Sequence, residues 1–369
     1  MPHLLLEGKA DRYQHFLSSA SNANLVAVSD DFHFRIQSVE GPSLLIRHVS
    51  THGQVTNHGE LSDAFFALML SYHPGGYSST GPLSNCSSNP PGPTLHWHFP
   101  NRSCINHHHN SKVTYLRLEC TALLRELSAQ AIAVSQLACL QGVAAPAHLV
   151  QLIEDLDRQL AHAELHQHQA ITEAFLNRLG QELRLLLGPP KPSDINAAGH
   201  TSLAIEWMNT RLGAPINLQQ LADAMGLTPR SVQASFKRLL ALSPMRWLKL
   251  ARFSQLRQSL WDRDLAHQSI QQLMGRCGLK DTSLTRQCFK DAYGVIPREE
   301  RRLAETFQRN YHGLKQDSLQ RQFDSPASAI QYLESLQYLD NKHLSSRVAI
   351  MITTSAQETN DHLERYQVG

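Results

Sequence analysis

Between residues 218 and 297 one short pattern occurs twice, and that duplication constrains the chain more than any other feature. In the first copy Leu218, Leu221 and Ala222 form an apolar helical face. Gly226 follows, where a left-handed turn is cheap, and Thr228-Pro229 reads as an N-cap hydroxyl with a proline at the first helical position. The helix starting there carries Val232, Phe236 and Leu239 inward at helical spacing and leaves Arg230, Ser231, Gln233, Ala234, Lys237 and Arg238 outside. In the second copy Ile270, Leu273 and Met274 precede Gly278, and Asp281 or Thr282 caps a helix with Leu284, Cys288, Phe289 and Ala292 inward. Thr282, Ser283, Thr285, Arg286, Gln287 and Lys290 are its outward candidates, Gly294 ends it, and Pro297 lies beyond.

Helix, tight turn, helix with a cationic, amide-bearing outer face suits the DNA major groove. Arg and Gln make bidentate contacts to guanine and adenine edges, and Lys and Arg also hold phosphates. A helix starting at Pro244 and containing Trp247, Leu248, Leu250, Ala251, Leu256 and Leu260 joins the copies. Such a rod can place two recognition helices about 34 Å apart, in successive grooves. Charge agrees: residues 200–302 hold 16 Lys/Arg against 8 Asp/Glu, a net of +8, whereas the remainder holds 18 against 24, a net of −6. A basic segment beside an acidic remainder fits a polyanionic partner. The alternative is a helical adaptor that binds protein or RNA through the same basic face.

The rest of the 369 residues is too long for a single ordinary core to be expected. Leu25–Val28, Phe32–Val39, Ser43–Val49, Leu95–Phe99 and Val113–Leu118 read as strands of an antiparallel sheet or barrel, and Pro74–Pro93 as loop. From Thr121 the period becomes helical, through Leu123–Leu127, Leu149–Leu160 and Ile171–Leu187. The last two make a Leu-rich hairpin that can pack on its own sheet or on a partner subunit. Gly188-Pro189-Pro190-Lys191-Pro192 reads as a terminator and linker. The fold class is therefore α+β. Residues 1–187 form a β-rich sensor or dimerisation domain with a helical hairpin, and 188–199 a linker. Residues 200–302 are an all-α domain with two helix-turn-helix units, and 303–369 a polar extension with helical character at Ile330–Leu339 and strand character at Val348–Thr354.

Residues 200 to 302 resemble the DNA-binding domain of AraC/XylS-type transcriptional regulators. The resemblance lies in Leu221-Ala222, Gly226, Thr228, Arg230, Val232, Phe236-Lys237, Ser243-Pro244 and Arg252. It continues in Ser269-Ile270, Gly278, Asp281, Ser283, Phe289-Lys290, Gly294 and Pro297. It implies a seven-helix domain acting on promoter DNA, RNA polymerase as a partner, a homodimer in the cytoplasm, and activation of a neighbouring promoter in response to a small molecule. Residues 25–187 resemble the family's effector-binding region in layout only, from Gly41-Pro42-Ser43-Leu44 onward, which implies a cupin-like barrel. The departures are Ala241 in place of the usual Gly, Thr285 in place of an aromatic residue, Gln287 in place of Arg, and Met274 in place of a small residue.

Other chemistry finds little support. His96-Trp97-His98 puts two imidazoles on one strand face, but no following Glu and no later strand histidine completes a metal set, and His107–Asn110 reads as a surface loop. His162, His166 and Gln169 read as a solvated helix face. No metal and no cofactor is expected. No Gly-x-Ser-x-Gly, Walker A or GxGxxG motif is present, and no Pro-Cys-His context surrounds Cys86 or Cys104, so no enzyme is expected. The scattered cysteines read as small buried hydrophobes, Trp207, Trp247 and Trp261 as core, and no apolar run reaches the ~20 residues of a membrane span.

Overall fold

Period-two patterning builds the amino-terminal half into two facing antiparallel sheets. The structure is a computed structural model that describes residues 4–20, 23–41, 43–72, 76–79, 92–163 and 167–305. In spatial order the larger sheet is β1 (Leu4–Gly8), β3 (His33–Glu40), β4 (Leu44–His52), β10 (Lys112–Glu119), β6 (Phe65–Ser71), β8 (Thr94–His98) and β11 (Val143–Ala144). The smaller is β2 (Ala23–Val28), β5 (Gln54–Glu60), β9 (Ser103–His109) and β7 (Gly76–Ser79). Phe34, Ile36, Val49, Met69 and Val113 of the larger sheet meet Ala23 and Val55 of the smaller, with Tyr13, Phe16 and Leu17 of α1 (Ala10–Ala20) packed among them.

All five expected strands are present. The unexpected ones lack the expected signal for physical reasons. β6, Phe-Phe-Ala-Leu-Met-Leu-Ser, is buried on both faces and shows no alternation. β5 and β9 turn polar or small side chains inward at Asn57, Gly59, Asn106 and His108. Within the expected loop Pro74–Pro93, residues 76–79 form β7, and most of the remainder lies outside the described residues.

The outer face of the larger sheet (Ile46, Leu68, Leu70, Trp97, Leu116) is covered by α2 (Cys120–Ala129), α3 (Ala147–His162) and α4 (His168–Leu187). Leu149, Ile153, Leu156 and Leu160 of α3 and Phe175, Leu176, Leu179 and Leu183 of α4 belong to that same core. The Leu-rich hairpin thus packs on its own sheet.

The linker is shorter than expected. α5 (Pro192–Asn209) begins with Pro192 in its first turn, where a missing N–H costs nothing, so residues 192–199 are helix. α6 (Leu218–Met225), α7 (Pro229–Leu240), α8 (Pro244–Trp261), α9 (Ile270–Arg276), α10 (Ser283–Tyr293) and a helical segment from 297 follow. The apolar core beneath α2–α4 continues without a break through Ala197, Ala204, Leu221, Val232, Phe236, Trp247 and Leu250. The expected helix at Ile330–Leu339 and strand at Val348–Thr354 lie outside the described residues.

Candidate nucleic-acid interface

Each unit is delimited by its caps. Asn217 caps α6, accepting from Gln220 N at 2.9 Å, while the Gln220 side chain returns to Asn217 N. Gly226 then closes α6 at φ 63°, and the Thr228 hydroxyl accepts from Ser231 N to open α7. In the second unit Ser269 and Gln272 form the same reciprocal cap on α9. Thr282, not Asp281, caps α10 by accepting from Thr285 N, and Gly294 ends it at φ 84°.

α7 presents what the sequence promised. Val232, Phe236 and Leu239 are buried; Arg230, Gln233, Ala234 and Lys237 are exposed, and Ser231 is half-buried against Thr228. Among the described residues, no side-chain hydrogen bond or ion pair is formed by Arg230, Gln233 or Lys237. Arg238 is placed differently. It is exposed too, but its Nε donates to Asp194 Oδ1 at 2.9 Å and its Nη2 to Ser193 Oγ, so the guanidinium also ties α7 to α5. The C-terminal turn of α7 lies against α5, which brings the Asp194 carboxylate within its reach.

α10 is more self-contained. Arg286 makes a bidentate pair with Asp281 at 2.7 and 2.8 Å, and Gln287 donates to Asp291 at 2.8 Å. The pairing holds the half-buried Asp281 carboxyl below its usual range, chiefly through the hydrogen bond from Arg286. Thr285 is half-buried against Thr282, while Ser283 and Lys290 are exposed. Leu284, expected inside, is exposed at 73%. It falls in the first turn, where the core side is filled instead by Phe289, Ala292 and Tyr293 from the later turns.

α8 is buried along much of its length, with Trp247 inside as expected. Arg252 donates to the Leu212 and Ala214 carbonyls at 2.9 and 2.6 Å, fixing the loop that precedes α6. Arg257 pairs with Glu300 at 2.7 Å, and half-buried Trp261 donates to the same carboxylate oxygen at 2.9 Å. Trp207 is also half-buried, under the Arg211 guanidinium at 4.7 Å. Sequence reading missed the Arg257–Glu300 pair. Its one signal was a charged residue next to Leu256 on a helix otherwise read for its apolar positions.

A second constellation lies between the sheets, and it corrects the histidine reading. His107–His109 is the end of β9 and not a surface loop, because β9 pairs with β5 along its whole length. His108 turns inward and is buried, as are His96 and His98 of β8. His98 Nδ1 lies 3.6 Å from Cys104 Sγ, and His108 Nδ1 3.0 Å from Ser111 Oγ. Burial, reinforced by the neighbouring imidazoles, lowers His98 and His108 to about 4. Both are neutral in the folded chain, so the unfolded chain takes up protons first. Stability is therefore unaffected above pH ~6.5 and falls as pH drops from there toward 4. Thermal melts at pH 7.5 and 5.0 should show the lower transition temperature at 5.0; equal values would refute the neutral buried pair. Among the described residues, no three His, Cys, Asp or Glu side chains are grouped to hold a metal ion. The side chain of His162, together with His166 and Cys86, lies outside the described residues, and Cys139 is exposed, unlike Cys104, Cys120 and Cys277.

Residues 221–303 match the family model of a helix-turn-helix domain. The chain is 27% identical over 162 residues to a protein named "Probable thc operon regulatory protein" of Rhodococcus erythropolis, covering 42% of this chain and 48% of that one. It is 30% identical over 97 residues to the HTH-type transcriptional regulator GbdR of Pseudomonas aeruginosa, covering 26% of each. The chain thus spans about half the length of the first relative and a quarter of the second. A solved transcriptional regulator of Chromobacterium violaceum, described as AraC-type, is 22% identical with a TM-score of 0.28, covering 30% of this chain and 95% of that one.

Proposed function

We propose that the chain, whose residues 221–303 match a helix-turn-helix family model, is a sequence-specific regulator of transcription of the AraC type that reads promoter DNA through α7 and α10. The observation that carries this reading is the outer face of α7. Arg230, Gln233 and Lys237 stand exposed and uncommitted above a buried Val232–Phe236–Leu239 stripe. Ser231 and Ala234 border that face. On α10 the corresponding set is Thr282, Ser283, Thr285, Arg286, Gln287 and Lys290, with Arg286 and Gln287 exchanging Asp281 and Asp291 for DNA on binding.

The same proposal makes residues 1–187 the sensor of a small molecule, supported by the polar cluster enclosed between the sheets. It makes the protein a cytoplasmic homodimer that works with RNA polymerase and carries out no catalysis; Leu185, Ile195 and Leu203 on α4 and α5 remain exposed for a partner. No described helix is long and apolar enough to cross a membrane.

A gel shift with duplex DNA from the neighbouring promoter tests the reading. Affinity should fall steeply with salt. Arg230→Ala should weaken specific binding by ~1–3 kcal/mol, the range for loss of a bidentate base contact. Unchanged affinity would remove Arg230 from the interface, and preference for RNA over duplex DNA would favour the adaptor reading instead.

A further inference from the structure

The loop between β5 and β6 leaves the sheets and enters the second helix-turn-helix unit. Ser62 Oγ donates to the Ala292 carbonyl at 2.6 Å, at the C-terminal end of α10, and Asp63 pairs with Arg246 at the start of α8. Ala64 is fully buried, and the Phe65 ring meets Tyr293 edge-on at 5.6 Å. These residues share one core with Phe253, Leu256, Leu273, Met274 and Phe289. The Arg257 guanidinium lies over both rings, 5.7 Å from Phe65 and 5.1 Å from Tyr293. Phe65 also carries Arg117, 4.5 Å away, from the strand that bears Tyr115. In β10, Arg117 and Tyr115 lie across from Ala67 and Met69 of β6, on the face whose β8 neighbours are His98 and His96.

We propose that Ser62–Phe65 is a clamp through which the space between the sheets controls the second unit. A displacement of Arg117 moves Phe65, and Phe65 moves Tyr293 with the end of α10. The grip is at the end of α10 away from Ser283, Arg286 and Gln287, so it leaves the outward face uncovered and acts on the helix's position. α7 is held differently: its contacts with the amino-terminal half run through α2 and the 3-10 segment Val134–Leu140, within the apolar core that continues from beneath α2–α4. The inference rests on the reading of residues 1–187 as a sensor, but its primary test uses no DNA.

The test is amide hydrogen exchange on the full chain. Ser62→Ala combined with Asp63→Asn removes the polar grip and leaves Phe65 in place. Exchange over 283–293 should accelerate by about 5-fold or more, with exchange over 229–240 unchanged, as expected when one cooperative unit loses local stability. Unchanged exchange over 283–293, or equal acceleration of both helices, would overturn the clamp. Arg117→Lys, altered only between the sheets, should likewise change exchange over 283–293; no response there would overturn the link to the barrel. Finally, a duplex selected by the wild-type chain from a random pool should bind the double variant with an affinity changed by about 5-fold or more. If exchange changes while affinity stays constant, the clamp has no part in regulation. If no duplex is selected at all, it is the DNA-binding reading that fails, and the exchange results stand apart from it.

Discussion

Glu300→Ala is expected to destabilise the second unit by about 3–5 kcal/mol, the usual consequence of removing one partner from a buried ion pair. Glu300 is 1% exposed and Arg257 2%, so water does not replace the lost carboxylate. Trp261 loses its acceptor in the same step. The pair itself need not add net stability, because desolvating two charges offsets much of their attraction. The combined variant Arg257→Met with Glu300→Leu should therefore recover most of the loss. Urea unfolding of the single and double variants checks both statements. A single-variant loss below about 1 kcal/mol would show that water or another carboxylate satisfies Arg257.

The second large effect concerns the two turn glycines, which look equivalent in sequence. Both are left-handed, Gly226 at φ 63° and Gly278 at φ 68°. A Cβ on Gly226 meets nothing within 4 Å, whereas on Gly278 it would lie 2.5 Å from the Leu212 carbonyl oxygen and 3.1 Å from the Arg252 guanidinium. That carbonyl is the one Arg252 holds. Gly226→Ala should cost about 1 kcal/mol, the strain of a left-handed alanine. Ala241 already adopts this conformation at φ 57° in the same domain. Gly278→Ala adds a backbone displacement and should cost roughly 2–4 kcal/mol. Thermal melts compare them directly; equal losses would mean that the loop at Leu212 yields freely.

The contrast shows where sequence reading stopped. Gly226, Thr228, Val232 and Phe236 were legible because turn chemistry, capping and helical period act over a few residues and leave a local signature. The exposed set Arg230, Gln233, Ala234 and Lys237 followed as their complement. Arg238 is exposed as expected, but its tie to Asp194 was hidden because that partner is 44 residues away. Leu284 was misjudged because periodicity gives a face but not the turn at which the core begins. In the amino-terminal half, strands buried on both faces or polar on the inner one gave no period-two signal. That hid β6, β9 and the inward His108. The clamp at Ser62–Phe65 was invisible for the same reason as the Arg238 tie: its partners are about 180 to 230 positions along the chain.

The apolar seam running from the outer face of the larger sheet into α5–α8 bears on how the two halves can move. Only residues 188–191 connect α4 to α5, too little slack for the helical half to swing as a separate body, and the seam would have to open before it could. A fragment cut at Pro192 would carry the sides of α5 and α7 that now lie against α2 into water and should associate or precipitate unless that strip is made polar.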